Sequence, residues 1–113
     1  MNVSPERAQS YIVRYMGKIT GLIVFVFPPL VKPGCDYGIT DIFVLSNYRN
    51  KGIANDACKL LFNEFPGQYF VQVIKGDSGA IGFWNNLIAK EGRLLVLEEY
   101  NEMLIAYEFE TSK

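Results

Sequence analysis

The chain has 113 residues, half of them apolar, with eight Phe, seven Tyr and one Trp, a composition for one well-cored domain and not for a disordered chain. Eleven basic and twelve acidic residues, net charge -1, give no general field for nucleic acid or anionic lipid. No histidine and only two cysteines, Cys35 and Cys58, exclude Ser-His-Asp and Cys-His hydrolysis, leave no metal site to expect and provide no disulfide framework.

Residues 1–9 are polar and read as a flexible or weakly helical lead-in without the apolar core of a signal peptide. Leu22 to Val31 is too short to span a bilayer and contains Pro28 and Pro29. A cytoplasmic protein with no membrane or nucleic-acid partner is expected. Ser10 to Tyr15 alternates as a half-buried strand, Met16-Gly17-Lys18 turns, and Ile19 to Phe27 returns as the second arm of a hairpin. The run Leu22 to Phe27 is continuously apolar, so both of its faces are expected to need cover. Pro28, Pro29, Pro33 and Gly34 end that strand in a stiff loop that carries Cys35 and Asp36.

Tyr37 to Leu45 reads as a third, central strand, followed by a basic turn and an amphipathic helix opening at about Gly52. Ile53, Ala57, Leu60 and Leu61 follow helical spacing, with Ala54, Cys58 and Phe65 widening the stripe. Pro66-Gly67 breaks the helix, and Tyr69 to Ile74 is a fourth strand, which implies a parallel crossover. Asp77 or Ser78 caps a second helix, Gly79 to Lys90, which Gly92 stops. Leu94 to Leu97 and Met103 to Phe109 close the chain as a hairpin. The order is β-β-β-α-β-α-β-β, a mixed α/β sheet with a central parallel pair, in one domain over residues 1–113.

The unpaired backbone N–H groups at the start of the first helix face Arg49 and Lys51 from the preceding turn. Small residues and two cations at a helix start can cradle a phosphate-bearing ligand. The stretch lacks the Gly-x-Gly-x-x-Gly of a dinucleotide site and the Gly-Lys-Ser/Thr of a P-loop.

Arg49-x-x-Gly52-x-Ala54 resembles the acyl-CoA signature of the GCN5-related N-acetyltransferases, Gln/Arg-x-x-Gly-x-Gly/Ala, in the position that family has it. The element order is similar from Ser10 onward, without the family's usual opening strand and two helices, which roof part of the acceptor groove. The resemblance implies an acyl-CoA N-acyltransferase fold that moves an acetyl group from acetyl-CoA to an amine, carried by a small molecule or a protein. It implies that the amides of Asn50, Lys51, Gly52, Ile53, Ala54 and Asn55, with Arg49, hold the coenzyme A pyrophosphate. The strand before the signature, Phe43, Val44 and Leu45, would hold the thioester through backbone groups.

A base commonly comes from that same strand, where Asp41 is the nearby carboxylate, with Asp36 and Tyr37 close in sequence; its other reading is a capping or edge carboxylate. On the second helix Trp84 stands where the family often has a Tyr that protonates the leaving sulfur. An indole N–H is too weak an acid for that role, so Trp84 reads as a core or cofactor-packing aromatic. The alternative is a non-catalytic ligand-binding or protein-interaction module on a degenerate acetyltransferase fold. Two helices are too few to cover the apolar strands, so a homodimer is expected, unless the Pro-rich loop and N-terminal tail fold over the remainder.

Overall fold

A computed structural model describes residues 8–111. Its elements are β1 (Ala8–Tyr15), β2 (Lys18–Val26), β3 (Tyr37–Val44), α1 (Ile53–Glu64), β4 (Gly67–Ile74), α2 (Ser78–Glu91), β5 (Gly92–Glu99) and β6 (Leu104–Thr111), with a single 3-10 turn at Ser46–Tyr48. The strands form one mixed sheet in the order β1-β2-β3-β4-β6-β5, and the expected β-β-β-α-β-α-β-β order holds. Of the lead-in expected over residues 1–9, residues 1–7 lie outside the described part, and Ala8 and Gln9 already pair with Val26 and Phe25. Met16 and Gly17, both at positive φ, make the two-residue turn whose twist suits a hairpin.

Both helices pack on one face of the sheet. Inward-facing Ile23, Phe25, Ile39, Tyr69, Val71, Val73, Tyr107 and Phe109 share a single core with Ile53, Cys58, Leu61 and Phe62 of α1 and Trp84, Leu87 and Ile88 of α2. Phe62 lies edge-on to Tyr69 at 4.8 Å, and Tyr69 stacks on Phe109 at 5.5 Å. The buried Tyr69 hydroxyl donates to the Phe65 carbonyl at 2.7 Å, so the phenol enters the core with its polar atom satisfied. Burial pushes the Cys58 thiol up to about 12, as expected of a cysteine that serves as a small apolar residue.

The other face is covered unevenly within the single chain, so the cover that Leu22 to Phe27 is expected to need on that side is incomplete. Leu22 and Val24 stay half-buried there, and Ile12, paired with Leu22, is 53% exposed. The loop after β2 does fold over one end: Val31 and Cys35 form a small buried cluster with Val26. An ion pair from Lys32 to Glu108 of β6 holds that loop to the sheet. Its far end is fixed by Asp36, whose amide donates to the Gln68 carbonyl at 2.8 Å while its carboxylate accepts from the Gln68 amide at 2.9 Å.

Two glycines differ from their expected roles. Gly92 ends α2 in an extended conformation and is also the first residue of β5, so that strand is longer than Leu94 to Leu97. A β-carbon at Gly92 would come within 2.7 Å of the Glu110 carbonyl oxygen, so close strand approach is what requires glycine. Gly52 lies outside α1, as its N-cap in the left-handed conformation.

Two bulges shape the middle of the sheet. Asp41 opposes Val24 while Ile39 opposes Phe25, which leaves Thr40 as an extra residue in β3. Gly21 opposes Val13 while Ile19 opposes Arg14, which leaves Thr20 extra in β2. Bulges bend a strand and interrupt its pairing. The parallel contact of β3 with β4 is confined to Tyr37 with Tyr69 and Gly38 with Phe70. Beyond it the two strands part, with Phe43 and Val71 on opposite sides of the gap.

Gly21 sets how closely β2 supports the parted end of β3. A β-carbon there would lie 2.3 Å from the Phe43 carbonyl oxygen, a backbone clash that only a shift of β3 relieves. Gly21→Ala is expected to cost about 1–3 kcal/mol. A thermal melt checks this; an unchanged midpoint would mean that β2 and β3 are not held in this register.

Candidate active site

The gap between the parted strands is a cavity of ≈ 390 Å³. Ile39 to Val44 form one wall, Val71 and Gln72 the other, and Ala54, Ala80, Phe83 and Trp84 close it from the helices. A second cavity, ≈ 360 Å³, lies at the start of α1 against Tyr48, Asn50, Gly52, Ile53 and Asn55. The two share Val44, Arg49, Ala54 and Phe83, so one trough runs from the helix start into the sheet.

Backbone groups of the parted strand face the trough. Successive residues of a strand direct their N–H and C=O groups to alternate sides. The Leu45 amide donates to the Thr20 carbonyl at 2.8 Å, and the Phe43 carbonyl faces Gly21, so both residues turn their backbone toward β2. Val44 and Ile42 therefore turn theirs into the gap. Arg49 folds back so that its Nε donates to the Val44 carbonyl at 3.0 Å, which leaves the Val44 N–H directed into the gap. This bond anchors the guanidinium across the strand end.

At the helix start, Asn50 and Gly52 both have positive φ, 64° and 77°. That geometry turns successive amides to one side, as in anion-binding nests. No side chain caps the helix, and the Asp56 amide, bonded to the Gly52 carbonyl at 3.0 Å, is the first amide of α1 with an acceptor. Among the described residues, the amides of Gly52, Ile53, Ala54 and Asn55 have no acceptor. A β-carbon at Gly52 would meet nothing within 4 Å, so glycine serves here for its backbone angle rather than for space.

The candidate residues of the sequence divide around this trough. Arg49, Asn50, Gly52, Ile53, Ala54 and Asn55 line its outer part, and Phe43, Val44, Asp41 and Trp84 its inner part. Leu45 and Lys51 line neither cavity and are exposed. Asp41, opposite Val24, lies on the helix-free side of the sheet. Trp84 is 6% exposed and packs against Phe109 at 6.0 Å and Phe83 at 5.3 Å, so core packing and contact with the cavity coexist. Thr40, Ile42, Gln72, Ala80 and Phe83 also line the inner cavity. Strand alternation could have flagged Gln72, whereas Thr40 and Ile42 depend on a bulge that has no signature in the sequence. No tyrosine lines the inner cavity among the described residues.

A sequence model of the acetyltransferase (GNAT) family matches residues 2–87, and the chain belongs to that family. Among solved structures, it is similar to an acetyltransferase from Thermus thermophilus, with a TM-score of 0.71 and 12% identity over 90% of this chain. The match covers 63% of the Thermus protein, so this chain spans under two thirds of that relative's length. It is also similar to a GNAT family acetyltransferase from Elizabethkingia anophelis with acetyl-CoA bound, at 0.67 and 16% identity, covering 91% of this chain and 76% of that one. An acetyltransferase from Bacillus subtilis in complex with CoA aligns at 0.69 and 11% identity, covering 95% of this chain and 79% of that one. No curated protein matches the chain. Among the described residues, no helix is long and apolar enough to cross a membrane.

Proposed function

We propose that the whole chain is one acyl-CoA N-acyltransferase-like domain that transfers an acetyl group from acetyl-CoA to an amine. The observation that carries this reading is the row of acceptor-free amides from Gly52 to Asn55, open to a trough that leads into the parted strands. Pyrophosphate oxygens need converging donors, and amides at a helix start supply them without loss of side-chain entropy. The GNAT relatives with acetyl-CoA or CoA bound support the choice of ligand.

Bound there, acetyl-CoA supplies the acetyl thioester. The amides of Asn50 to Asn55 would hold its phosphates, with Arg49 and Lys51 adding charge from the rim. Ile42 and Val44 would direct backbone groups at its pantetheine arm and thioester, flanked by Phe43, Leu45 and Trp84. In the transfer, the amine nitrogen forms the new C–N bond, the C–S bond breaks, and the proton lost by the amine balances the departing thiolate. Asp41, on the side of the sheet opposite the helices, is our candidate for taking that proton, directly or through water. Among the described residues no tyrosine lines the inner cavity, so in this reading the thiolate leaves unaided, or another residue serves as the acid.

A non-catalytic module that keeps the cofactor site is the second reading, favoured by the buried Trp84 in place of an acid. We also infer a cytoplasmic setting, since Cys35 and Cys58 are buried free thiols rather than a disulfide. We infer a homodimer built on the helix-free side of β1 and β2, where Ile12, Leu22 and Val24 are incompletely covered.

Calorimetric titration of coenzyme A tests the central reading. Replacing Gly52 by Val forces a branched side chain to φ 77°, at about 1–2 kcal/mol of backbone cost. It is expected to weaken coenzyme A at least tenfold, about 1.4 kcal/mol. Lys51→Ala should weaken it less, and that loss should shrink in high salt. Absence of saturable binding by the native protein at millimolar coenzyme A would sink the reading.

Turnover separates the roles of two other residues. Trp84→Phe is expected to keep most activity, because the indole donates no proton, whereas Asp41→Asn should lower kcat/KM by about a hundredfold or more if Asp41 is the base. A hundredfold loss in folded Trp84→Phe, or none in Asp41→Asn, would reverse those assignments. Light scattering at micromolar protein is expected to give twice the mass of the single chain, and a clean monomer would contradict the dimer.

A further inference from the structure

On the helix-free face a third cavity, ≈ 360 Å³, runs along β3 and β4 beneath the loop after β2. It shares Ile39, Thr40 and Gln72 with the inner cavity. These three residues form the sill between them, so a molecule lying in the groove meets the gap across Ile39, Thr40 and Gln72. A volume of this size is within the range of small-molecule sites.

The walls of the groove differ from its inner end. Val26, Leu30, Val31, Phe70, Ile74 and Leu104 make the groove apolar. Lys32 is the one charged residue that lines it, and no carboxylate does, among the described residues. Lys32 is paired with Glu108 and lies 5.6 Å from the centre of the Phe70 ring, so the groove already holds one cation with its counter-ion. Thr40 and Gln72, the groove's polar uncharged lining residues, stand at its inner end, and Asp41 lines the inner cavity on the far side of them. A ligand therefore meets polar groups and a negative charge at one end only.

We propose that the acceptor is a primary monoamine on an apolar body, aryl-alkyl or branched alkyl, seated in this groove with its nitrogen at the sill. This rests on the acetyl-transfer reading and adds the chemical class of the acceptor. One ammonium can be accommodated at the sill, because Asp41 lines the cavity it would enter there and is the carboxylate assigned to take the proton that frees the nitrogen. The apolar body is withdrawn from water against the wall, which favours binding. A second cation along the groove would lose its hydration with no carboxylate in the wall to replace it, beside the existing charge of Lys32. Diamines, polyamines and other polycations are therefore disfavoured.

The test compares 2-phenylethylamine with 1,4-diaminobutane, on the full chain and on Ile74→Asp and Leu30→Asp. Ile74 and Leu30 are 54% and 53% exposed, so a charge at either position leaves the core intact. Binding is read by saturation-transfer NMR with desulfo-coenzyme A present, and turnover by thiol release from acetyl-CoA. The expected result is a kcat/KM for phenylethylamine at least tenfold above that for the diamine, with a matching order of binding. Each variant should shrink that ratio tenfold or invert it, by supplying the missing carboxylate.

A native preference for the diamine would overturn the proposal, as would variants that both leave the ratio unchanged. Phenylethylamine that fails to bind protein already loaded with desulfo-coenzyme A overturns it while leaving the cofactor reading intact. If coenzyme A itself does not bind, the acetyl-transfer reading fails. The groove is then judged on binding to the protein alone: phenylethylamine binding above that of the diamine, with the difference lost in Ile74→Asp, supports it, and no binding overturns it.

Discussion

Two residue pairs, Tyr37 with Tyr69 and Gly38 with Phe70, make the whole of the parallel contact between β3 and β4, and the rest of the molecule depends on how that contact ends. The extra residue Thr40 bends β3 away immediately beyond it. From there the backbone of Val44 and Ile42 has no partner strand, and a buried strand edge without a partner is costly unless water or a ligand meets it. The fold thus holds open a gap that a regular sheet would have closed.

The closed and open ends are built from different residues. At the closed end, Phe25, Tyr37, Phe65 and Tyr69 form ring pairs with centroids 5.2–5.8 Å apart. Each such pair adds about 0.5–1.5 kcal/mol beyond the area it buries, so the strands are clamped where they do meet. At the open end, small residues (Gly52, Ala54 and Ala80) and the amides that begin α1 stand beside Phe83 and Trp84. Rigidity at one end and exposed donors at the other allow the trough to be preformed, and binding there need not order the chain.

Much of this was legible in the sequence. Apolar patterning located every strand and both helices, and all of them except β5, whose leucines are exposed, place one face in a common core. Arg49-x-x-Gly52-x-Ala54 pointed to the helix start. The rest depends on relations between distant residues. A bulge such as Thr40 is a mismatch of register between two strands, so neither strand records it alone. The reach of Lys32 to Glu108, which holds the loop over the proposed acceptor groove, joins two elements far apart in the chain. The sequence marks Gly52 only as a small residue at a helix start; that the left-handed turn requires it shows in its φ of 77°. Arg49 lends its charge at the rim while its Nε is engaged by the Val44 carbonyl, a contact visible only once the turn has its shape.

The central claim is that free backbone amides at the start of α1 and along the parted edge of β3 form the coenzyme A site. Amide NMR of the native protein during titration with desulfo-coenzyme A tests it most directly, since it reads those groups one by one. The account predicts saturable shifts, with slowed solvent exchange, at Gly52, Ile53, Ala54 and Asn55, accompanied by shifts at Ile42 and Val44. Amides that stay unchanged at millimolar ligand, or saturable shifts confined to another part of the sheet, would contradict it.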